Sequence, residues 1–296
     1  MKNYSHKILM TGSEGQLAKA IIAKIANQSF DLVTCSHQQM DITDKTSIQR
    51  AIDNTAPDII INTAAYTAVD DAEKNSDAAM RVNYLGVKNL AELCRRYNIL
   101  LLHISTDYVF DGKQYTLYQE EDFPNPINVY GLSKWLGEKA ITDHHDRYII
   151  LRVSGIFSEY NHNFLKTILR LSREKIEFNV VADQITCPTY AEDIADILFS
   201  LIKKKHKYGI YHYCNGPPIS WFDFANTILS TCQKYDYYLN TKIIPVQSKD
   251  YKTLAARPSY SALNCSKIKK DYDIVPSERQ PHIIPVIEKL LMGGNH

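Results

Sequence analysis

The chemistry-bearing residues of this 296-residue chain gather in its middle. Ser105-Thr106-Asp107 ends an apolar run, and Tyr130-Gly131-Leu132-Ser133-Lys134 follows at what reads as a helix start. A tyrosine and a lysine four apart on a helix stand one turn from each other on one face. An ammonium beside a phenol favours the phenolate, so the spacing predicts a Tyr130 of lowered pKa that moves a proton near neutral pH. Thr106, delivered from a strand end, can hydrogen-bond the same substrate oxygen. The Tyr-x-x-x-Lys spacing occurs three times, as Tyr84/Lys88, Tyr130/Lys134 and Tyr238/Lys242, in a chain with 20 tyrosines. Spacing alone does not choose among them, but context does. Tyr84 falls within a helix between two strands, where its ring is expected to pack. Tyr238 falls in an irregular C-terminal region. Only Tyr130 follows a strand-end Ser-Thr pair and begins the helix before another strand.

Such residues need a frame, and the N-terminal segment supplies its first unit. The strand Lys7–Thr11 runs into Gly12-Ser13-Glu14-Gly15-Gln16-Leu17-Ala18, a glycine turn that opens a helix. Gly12 suits a positive φ. Gly15 lets the backbone approach a pyrophosphate resting on the helix N–H groups, and Ala18 allows close helix–strand packing. Apolar runs of strand length then alternate with amphipathic stretches. Strands are expected at Asp31–Cys35, Asp58–Ile61, Leu100–Ile104 and Tyr148–Arg152. Helices are expected at about 16–26, 45–54 (N-cap Thr43 or Asp44), 78–97 and 131–141. This alternation predicts an α/β fold, a doubly wound parallel sheet with a smaller α+β lobe. The expected division is a dinucleotide-binding domain over 1–155 and a mainly substrate-binding lobe over 156–296. The strand Gly209–Tyr213 is a candidate to return to the sheet. Where the second strand ends, at Cys35-Ser36-His37, no carboxylate waits for a ribose 2′-hydroxyl and no arginine for a 2′-phosphate. Asp41 follows and could reach the adenine, so both NADPH and NADH stay open.

Bulk properties exclude other classes. The net charge is +1 with both signs interspersed, which argues against a nucleic-acid surface. The basic run Lys203-Lys204-Lys205-His206-Lys207 reads as a solvated helix end. No stretch approaches the ~20 apolar residues that span a bilayer, and nothing at the N-terminus reads as a signal peptide. A cytoplasmic protein is expected. Its six cysteines form no Cys-x-x-Cys pair and are read as reduced thiols. The adjacent His144 and His145 cannot both face one metal, and no metal site is expected.

With these residues in hand, the chain resembles the extended short-chain dehydrogenase/reductases, and within them the dTDP-4-dehydrorhamnose reductase family. The similar segments are Gly12–Ala18, Asp41–Asp44, Asn62–Glu73 (NTAAYTAVDDAE), Ser105–Gly112 (STDYVFDG), Tyr130–Glu138, Asp183–Asp193 (DQITCPTYAED), Ser220–Ala225 (SWFDFA) and Arg257–Ser261 (RPSYS). The resemblance implies a Rossmann-type sheet and a catalytic triad of Thr106, Tyr130 and Lys134. It implies cofactor contacts from Gly12, Gly15, Gln16, Leu17, His37, Asp41, Ile42, Ala64, Ala65, Tyr130 and Lys134. Asp107 and Tyr108 are expected beside the sugar, and Gln184 and Arg257 at the nucleotide diphosphate, where a guanidinium fork suits the anion. Asp183 and Asp193 are expected to cap or orient structure. The implied activity is NAD(P)H-dependent reduction of a nucleotide-activated 4-keto-6-deoxyhexose, giving dTDP-L-rhamnose or a close relative for surface polysaccharide. A homodimer is one assembly open to it.

One segment departs from the family. Many relatives follow the fifth strand with Thr-Ser-Trp, whose indole stacks near the sugar, whereas this chain has Val153-Ser154-Gly155. The sugar would then be held by other side chains, among which Tyr66, Tyr108 and Phe157 are candidates. Two other readings stay open. An epimerase or dehydratase of the same superfamily would use the acid Asp107 beside Thr106. A non-enzymatic regulatory subunit with a reductase fold would not need the intact triad.

Overall fold

The computed structural model describes residues 6–234 and 240–292. Its centre is a six-stranded parallel sheet. The first five strands are β1 (His6–Thr11), β2 (Phe30–Cys35), β3 (Ile59–Asn62), β4 (Leu100–Thr106) and β5 (Tyr148–Val153). The sixth is Gly209–Tyr213, which pairs with β5, so the spatial order is β2-β1-β3-β4-β5 and then this strand. The continuous apolar runs follow from burial on both faces. Ile8, Met10, Ile59, Ile61, Leu100 and Leu102 pack on one face against the helices Gln16–Ile25 and Ala191–Lys203. Leu9, Ile60, Leu101 and Ile150 point to the other face, where Ile48, Ile52, Leu90 and Ile141 come from the helices Lys45–Thr55, Val87–Tyr97 and Val129–His144. This is the doubly wound arrangement that the alternation predicts.

The lobe has its own core. The strands Glu177–Val181 and Lys242–Val246 pair in parallel. Phe178 and Val180 pack with Phe157, Leu165, Ile168, Phe224, Ile228 and Ile287. Three segments from beyond residue 156 nevertheless return to the sheet layer: the strand Gly209–Tyr213, the helix Ala191–Lys203 that covers one face, and the helix Ser266–Tyr272, whose Ile268 and Tyr272 join the same core.

Several local details differ from the sequence reading. Asp44 is the N-cap of the second helix, its Oδ1 accepting from the Thr46 amide at 2.8 Å. The helix expected from residue 78 begins at Ser76 and carries a π-helical turn over Arg81–Gly86. That wide turn brings Asn83 inward. Its Oδ1 accepts from the Tyr66 amide at 2.8 Å, and its Nδ2 donates to the Tyr66 carbonyl and to Ser133 Oγ, each at 2.9 Å. β4 extends past Ile104 through Ser105 to Thr106. The helix before the basic run ends at Lys203, and Lys207 pairs with Asp271 at 2.8 Å. Among the described residues no helix is long and apolar enough to cross a membrane.

Candidate active site

The carboxyl ends of β1, β3, β4 and β5 and the facing lobe enclose a cleft of about 1130 Å³. It is the position where open α/β sheets bind ligands. Gly15, Gln16, Leu17, Ala65, Thr106, Asp107, Tyr108, Tyr130, Lys134, Gln184 and Arg257 all line it. Residues drawn from six separate stretches of sequence thus meet around one space.

The glycine turn forms its floor on the β1 side. Gly12 has φ +68°, and a Cβ there would lie 2.8 Å from the Cα and N of Ala64. Only glycine fits, and Ala64 is part of the reason. Gly15 is the helix N-cap in extended backbone, and no side chain caps that helix end. The first-turn amides therefore face the cleft without a competing side-chain acceptor, an arrangement suited to a pyrophosphate. Gln16 reaches across the cleft, its Oε1 accepting from Ser158 Oγ at 3.2 Å. His37, Asp41 and Ile42 lie beyond the end of β2, outside this lining. His37 is exposed, with Nδ1 3.9 Å from Asp41 Oδ1. Asp41 Oδ1 also accepts from the Thr43 amide at 2.8 Å. Ile42 is buried and packs where a Cβ on Gly86 would be, 2.7 Å from its Cγ1.

Thr106 sits at the centre of the opposite wall. Its Oγ1 accepts from the Tyr108 amide at 3.2 Å and donates to Asp107 Oδ1 at 3.2 Å. The Tyr130 hydroxyl also hydrogen-bonds Thr106. Asn128 caps the Tyr130 helix, its Oδ1 accepting from the Gly131 amide at 2.7 Å. Gly131 has no room for a side chain, since a Cβ would lie 2.1 Å from the Tyr108 carbonyl oxygen. Loop and helix start are thereby locked together.

The electrostatics differ from the expected phenol–ammonium pairing. Burial pushes the Tyr130 pKa up to about 12, with the Thr106 bond opposing and the Asp107 charge adding to the rise. The Lys134 ammonium donates instead to the Ile104 carbonyl at 2.7 Å and lies 3.3 Å from His103 Nε2. Burial draws Lys134 down to about 8, with Glu138 opposing. His103 is fully buried and held well below the usual imidazole range, first by burial and then by Lys134. Phenol and ammonium are each shifted first by desolvation, and neither is among the groups that shift the other.

Asp107 is 3% exposed, and burial raises its carboxyl to about 6 against hydrogen bonds from Ser261, Ser154 and Thr106. Ser154 Oγ donates to its Oδ2 at 2.9 Å. Both oxygens are thus engaged in holding the loop that carries Thr106. Behind it, Glu138 and Arg152 form a buried pair, with Nη2 to Oε2 at 2.7 Å and Ser105 Oγ donating to Oε1 at 2.5 Å.

At the substrate end, Tyr108 stands edge-on to Tyr130 with ring centroids 5.9 Å apart, and its hydroxyl hydrogen-bonds Arg257. Gln184 Nε2 donates to Ser248 Oγ at 2.9 Å. Asp183 accepts from the Ser248 amide at 2.9 Å, and Asp193 from Tyr213 and Asn215 at 3.0 and 2.7 Å, so both orient structure. Of Tyr66, Tyr108 and Phe157, only Tyr108 lines the cleft. Phe157 is wholly buried in the lobe core, and Tyr66 donates its hydroxyl to Asp71. Gly155 has φ +51°, and a Cβ there would lie 3.1 Å from Trp221 Cη2 and 3.2 Å from Pro188 Cα. An indole does stand beside residue 155, but it comes from Trp221. Trp221 and Asp70 both line the cleft and were not among the expected site residues, although each lies in a segment that carries the resemblance. Tyr84 lies half-buried in the π-helical turn, and Tyr238 falls outside the described residues.

A parallel doubly wound sheet, a glycine turn at the first helix and a Thr-Tyr-Lys cluster in the cleft define an extended short-chain dehydrogenase/reductase. The comparisons narrow this. The family model described as RmlD substrate binding domain matches residues 6–292. A dTDP-4-dehydrorhamnose reductase of Aggregatibacter actinomycetemcomitans is 41% identical over 281 residues, 93% of this chain and 96% of the relative. The crystal structure of a dTDP-4-dehydrorhamnose reductase from Bacillus anthracis in complex with NADP superposes with a TM-score of 0.91 at 34% identity, covering 96% of this chain and 99% of that one. A UDP-glucose 4-epimerase of Thermus thermophilus shares the fold, with a TM-score of 0.81 at 16% identity over 96% of this chain and 99% of that one. The chain belongs to the dTDP-4-dehydrorhamnose reductase family.

Proposed function

We propose that this protein reduces dTDP-4-dehydro-L-rhamnose to dTDP-L-rhamnose, for surface polysaccharide, with NADPH or NADH. The observation that carries the reading is that the Tyr130 phenol, half-buried and with its pKa pushed up to about 12 by desolvation, lines one cleft together with Thr106 and Lys134. A protonated donor is what the reductive direction needs, because the carbonyl oxygen gains a proton as it becomes a hydroxyl. The glycine turn fits a dinucleotide: Gly12 and Ala64 leave a cradle that any Cβ would fill, and Gly15, Gln16 and Leu17 present an uncapped helix end. When bound, the reduced nicotinamide supplies the hydride.

The chain's own residues do the rest. Thr106 and Tyr130 hold the ketone oxygen between two hydroxyls, and Tyr130 gives its proton to that oxygen. Lys134, anchored on the Ile104 carbonyl, places positive charge under the site and stabilises the phenolate left behind. Ala65 borders the nicotinamide half, while His37, Asp41 and Ile42 lie toward the adenosine. Asp107 and Tyr108 face the sugar, and Gln184 and Arg257 the diphosphate. The segment 1–155 holds mainly the dinucleotide and 156–296 mainly the sugar nucleotide, and the expected place of work is the cytoplasm.

The test is turnover of dTDP-4-dehydro-L-rhamnose, run separately with NADH and NADPH. Stoichiometric loss of reduced-nicotinamide absorbance is expected. An epimerase or dehydratase that regenerates its cofactor would give no net loss, and that result would refute the reading.

A further inference from the structure

Arg257 is not free at the mouth of the cleft. Its Nη2 donates to Asp70 Oδ2 at 2.6 Å and its Nη1 to Asp70 Oδ1 at 3.2 Å. The same carboxylate accepts from the Ala255 amide at 3.0 Å. Asp70 thus grips both the backbone and the guanidinium of one strap, residues 255–257. On its other side the strap meets Asn128, whose Nδ2 donates to the Ala256 carbonyl at 2.8 Å. Asn128 is buried, and its Oδ1 is already the N-cap of the helix that begins two residues before Gly131 and carries Tyr130. The neighbouring Val129 amide donates to Glu73 Oε1 at 2.9 Å, closing the triangle on the Asp70 side. One side chain, Asn128, therefore ties the residue before Arg257 to the start of the Tyr130 helix.

We propose that Asp70 and Asn128 are positioning residues that fix Arg257, from two sides and in register with Tyr130, to receive the diphosphate of a nucleotide sugar. The proposal rests on the functional reading above and goes beyond it by assigning what sets the distance between the anion end and the reacting end. A planar fork binds phosphate oxygens well only when its plane is held before the ligand arrives. The pair also leaves donors over: of the five N–H groups of Arg257, Asp70 engages one on each terminal nitrogen and the Ala255 carbonyl accepts from Nη1 at 3.2 Å, which leaves Nε and the second Nη2 N–H for phosphate oxygens. The opposite expectation is explicit, since a carboxylate that merely competed with the diphosphate would weaken binding by repulsion.

The experiment measures calorimetric affinity for dTDP and for NADPH, with KM and kcat on the sugar nucleotide. The variants are Asp70→Ala, Asn128→Ser, Arg257→Ala and the double Asp70→Ala/Arg257→Ala. Serine keeps an N-cap acceptor but is too short to reach the Ala256 carbonyl. Asp70→Ala and Asn128→Ser are each expected to weaken dTDP roughly 3–10-fold, within the range of coupled neighbours. KM should rise by more than kcat falls, and NADPH affinity should hold. In the Arg257→Ala background, Asp70→Ala should cost nothing further. Tighter dTDP binding in Asp70→Ala, additive losses in the double variant, or equal loss of NADPH would each overturn the proposal. A wild type that binds dTDP while Asp70→Ala is silent refutes this proposal alone. A wild type that binds no dTDP refutes the functional reading with it.

Discussion

Lys134 carries a cost that can be measured apart from catalysis. Burial draws its ammonium from the usual 10.5 to about 8, which corresponds to roughly 3 kcal/mol of differential proton affinity. Between these values the unfolded chain holds the proton and the native state does not. Native stability from this group therefore rises as pH climbs from 8 to 10.5, by about 1.4 kcal/mol per pH unit, and is flat below 8. The perturbation is Lys134→Met, which keeps the length of the side chain and removes the titration. Other groups also titrate in this range, so the informative quantity is the wild-type-minus-variant difference. It should move in favour of wild type by about 2–3 kcal/mol between pH 7.5 and pH 10. Urea unfolding followed by far-UV circular dichroism at four pH values reads this directly. At pH 7 the variant loses the bond to the Ile104 carbonyl but also loses a desolvated charge, so it should fold with near wild-type stability while turnover collapses. Parallel stability curves for the two proteins across pH 7.5–10 would refute the reasoning, because they would place the ammonium in solvent contact.

Tyr130→Phe should cut turnover by about 10²–10⁴-fold with cofactor affinity retained, whereas Tyr84→Phe should stay within about twofold of wild type; steady-state kinetics and cofactor titration check both. Gly155→Trp should lose most activity and stability. Its φ of +51° disfavours any side chain, and a Cβ already lies 3.1 Å from Trp221, so a stable variant with improved turnover of dTDP-4-dehydro-L-rhamnose would contradict the geometry. Glu138→Ala should destabilise by about 3–5 kcal/mol in chemical denaturation, since it strands the buried Arg152 without its partner.

The sheet was legible because burial on both faces leaves its mark in consecutive residues: Ile59-Ile60-Ile61 reads as a central strand without any knowledge of its neighbours. The choice of Tyr130 over Tyr84 was legible for a related reason, since strand, turn and helix recur in a fixed order along the chain. What escaped was set by contacts between distant positions. Asp70 meets Arg257 across 187 residues, and nothing in the spacing of either announces it. The indole of Trp221 stands beside position 155 across 66 residues of sequence, and the spacing of neither residue announces the contact. The Tyr130 pKa was misjudged in direction. Sequence spacing reports that an ammonium is near, but only the fold reports that both groups are desolvated and that a carbonyl has taken the ammonium's bond. The π-helical turn was invisible because the groups that Asn83 bonds from within it, the Tyr66 backbone and Ser133, belong to segments distant in sequence.

The strand Gly209–Tyr213 has a consequence for how the molecule is made. It closes the outer edge of β5, and the helix Ala191–Lys203 covers the sheet face formed by Ile8, Ile59 and Leu100, yet both are synthesised only after the chain has left β5 and built the first part of the lobe. A nascent chain that has emerged only to the end of β5 holds five parallel strands with an open hydrogen-bonding edge and an uncovered apolar face. Such edges pair with other chains. A ribosome paused between residues 155 and 190 would therefore present the most association-prone form of this protein, and a fragment cut at the end of β5 would carry the same liability permanently. Moving the break point beyond Tyr213 supplies the missing edge strand, but the lobe core still lacks Phe224, Ile228 and Ile287, so a series of C-terminal truncations should turn from aggregating to dispersed only when the cut passes Ile287.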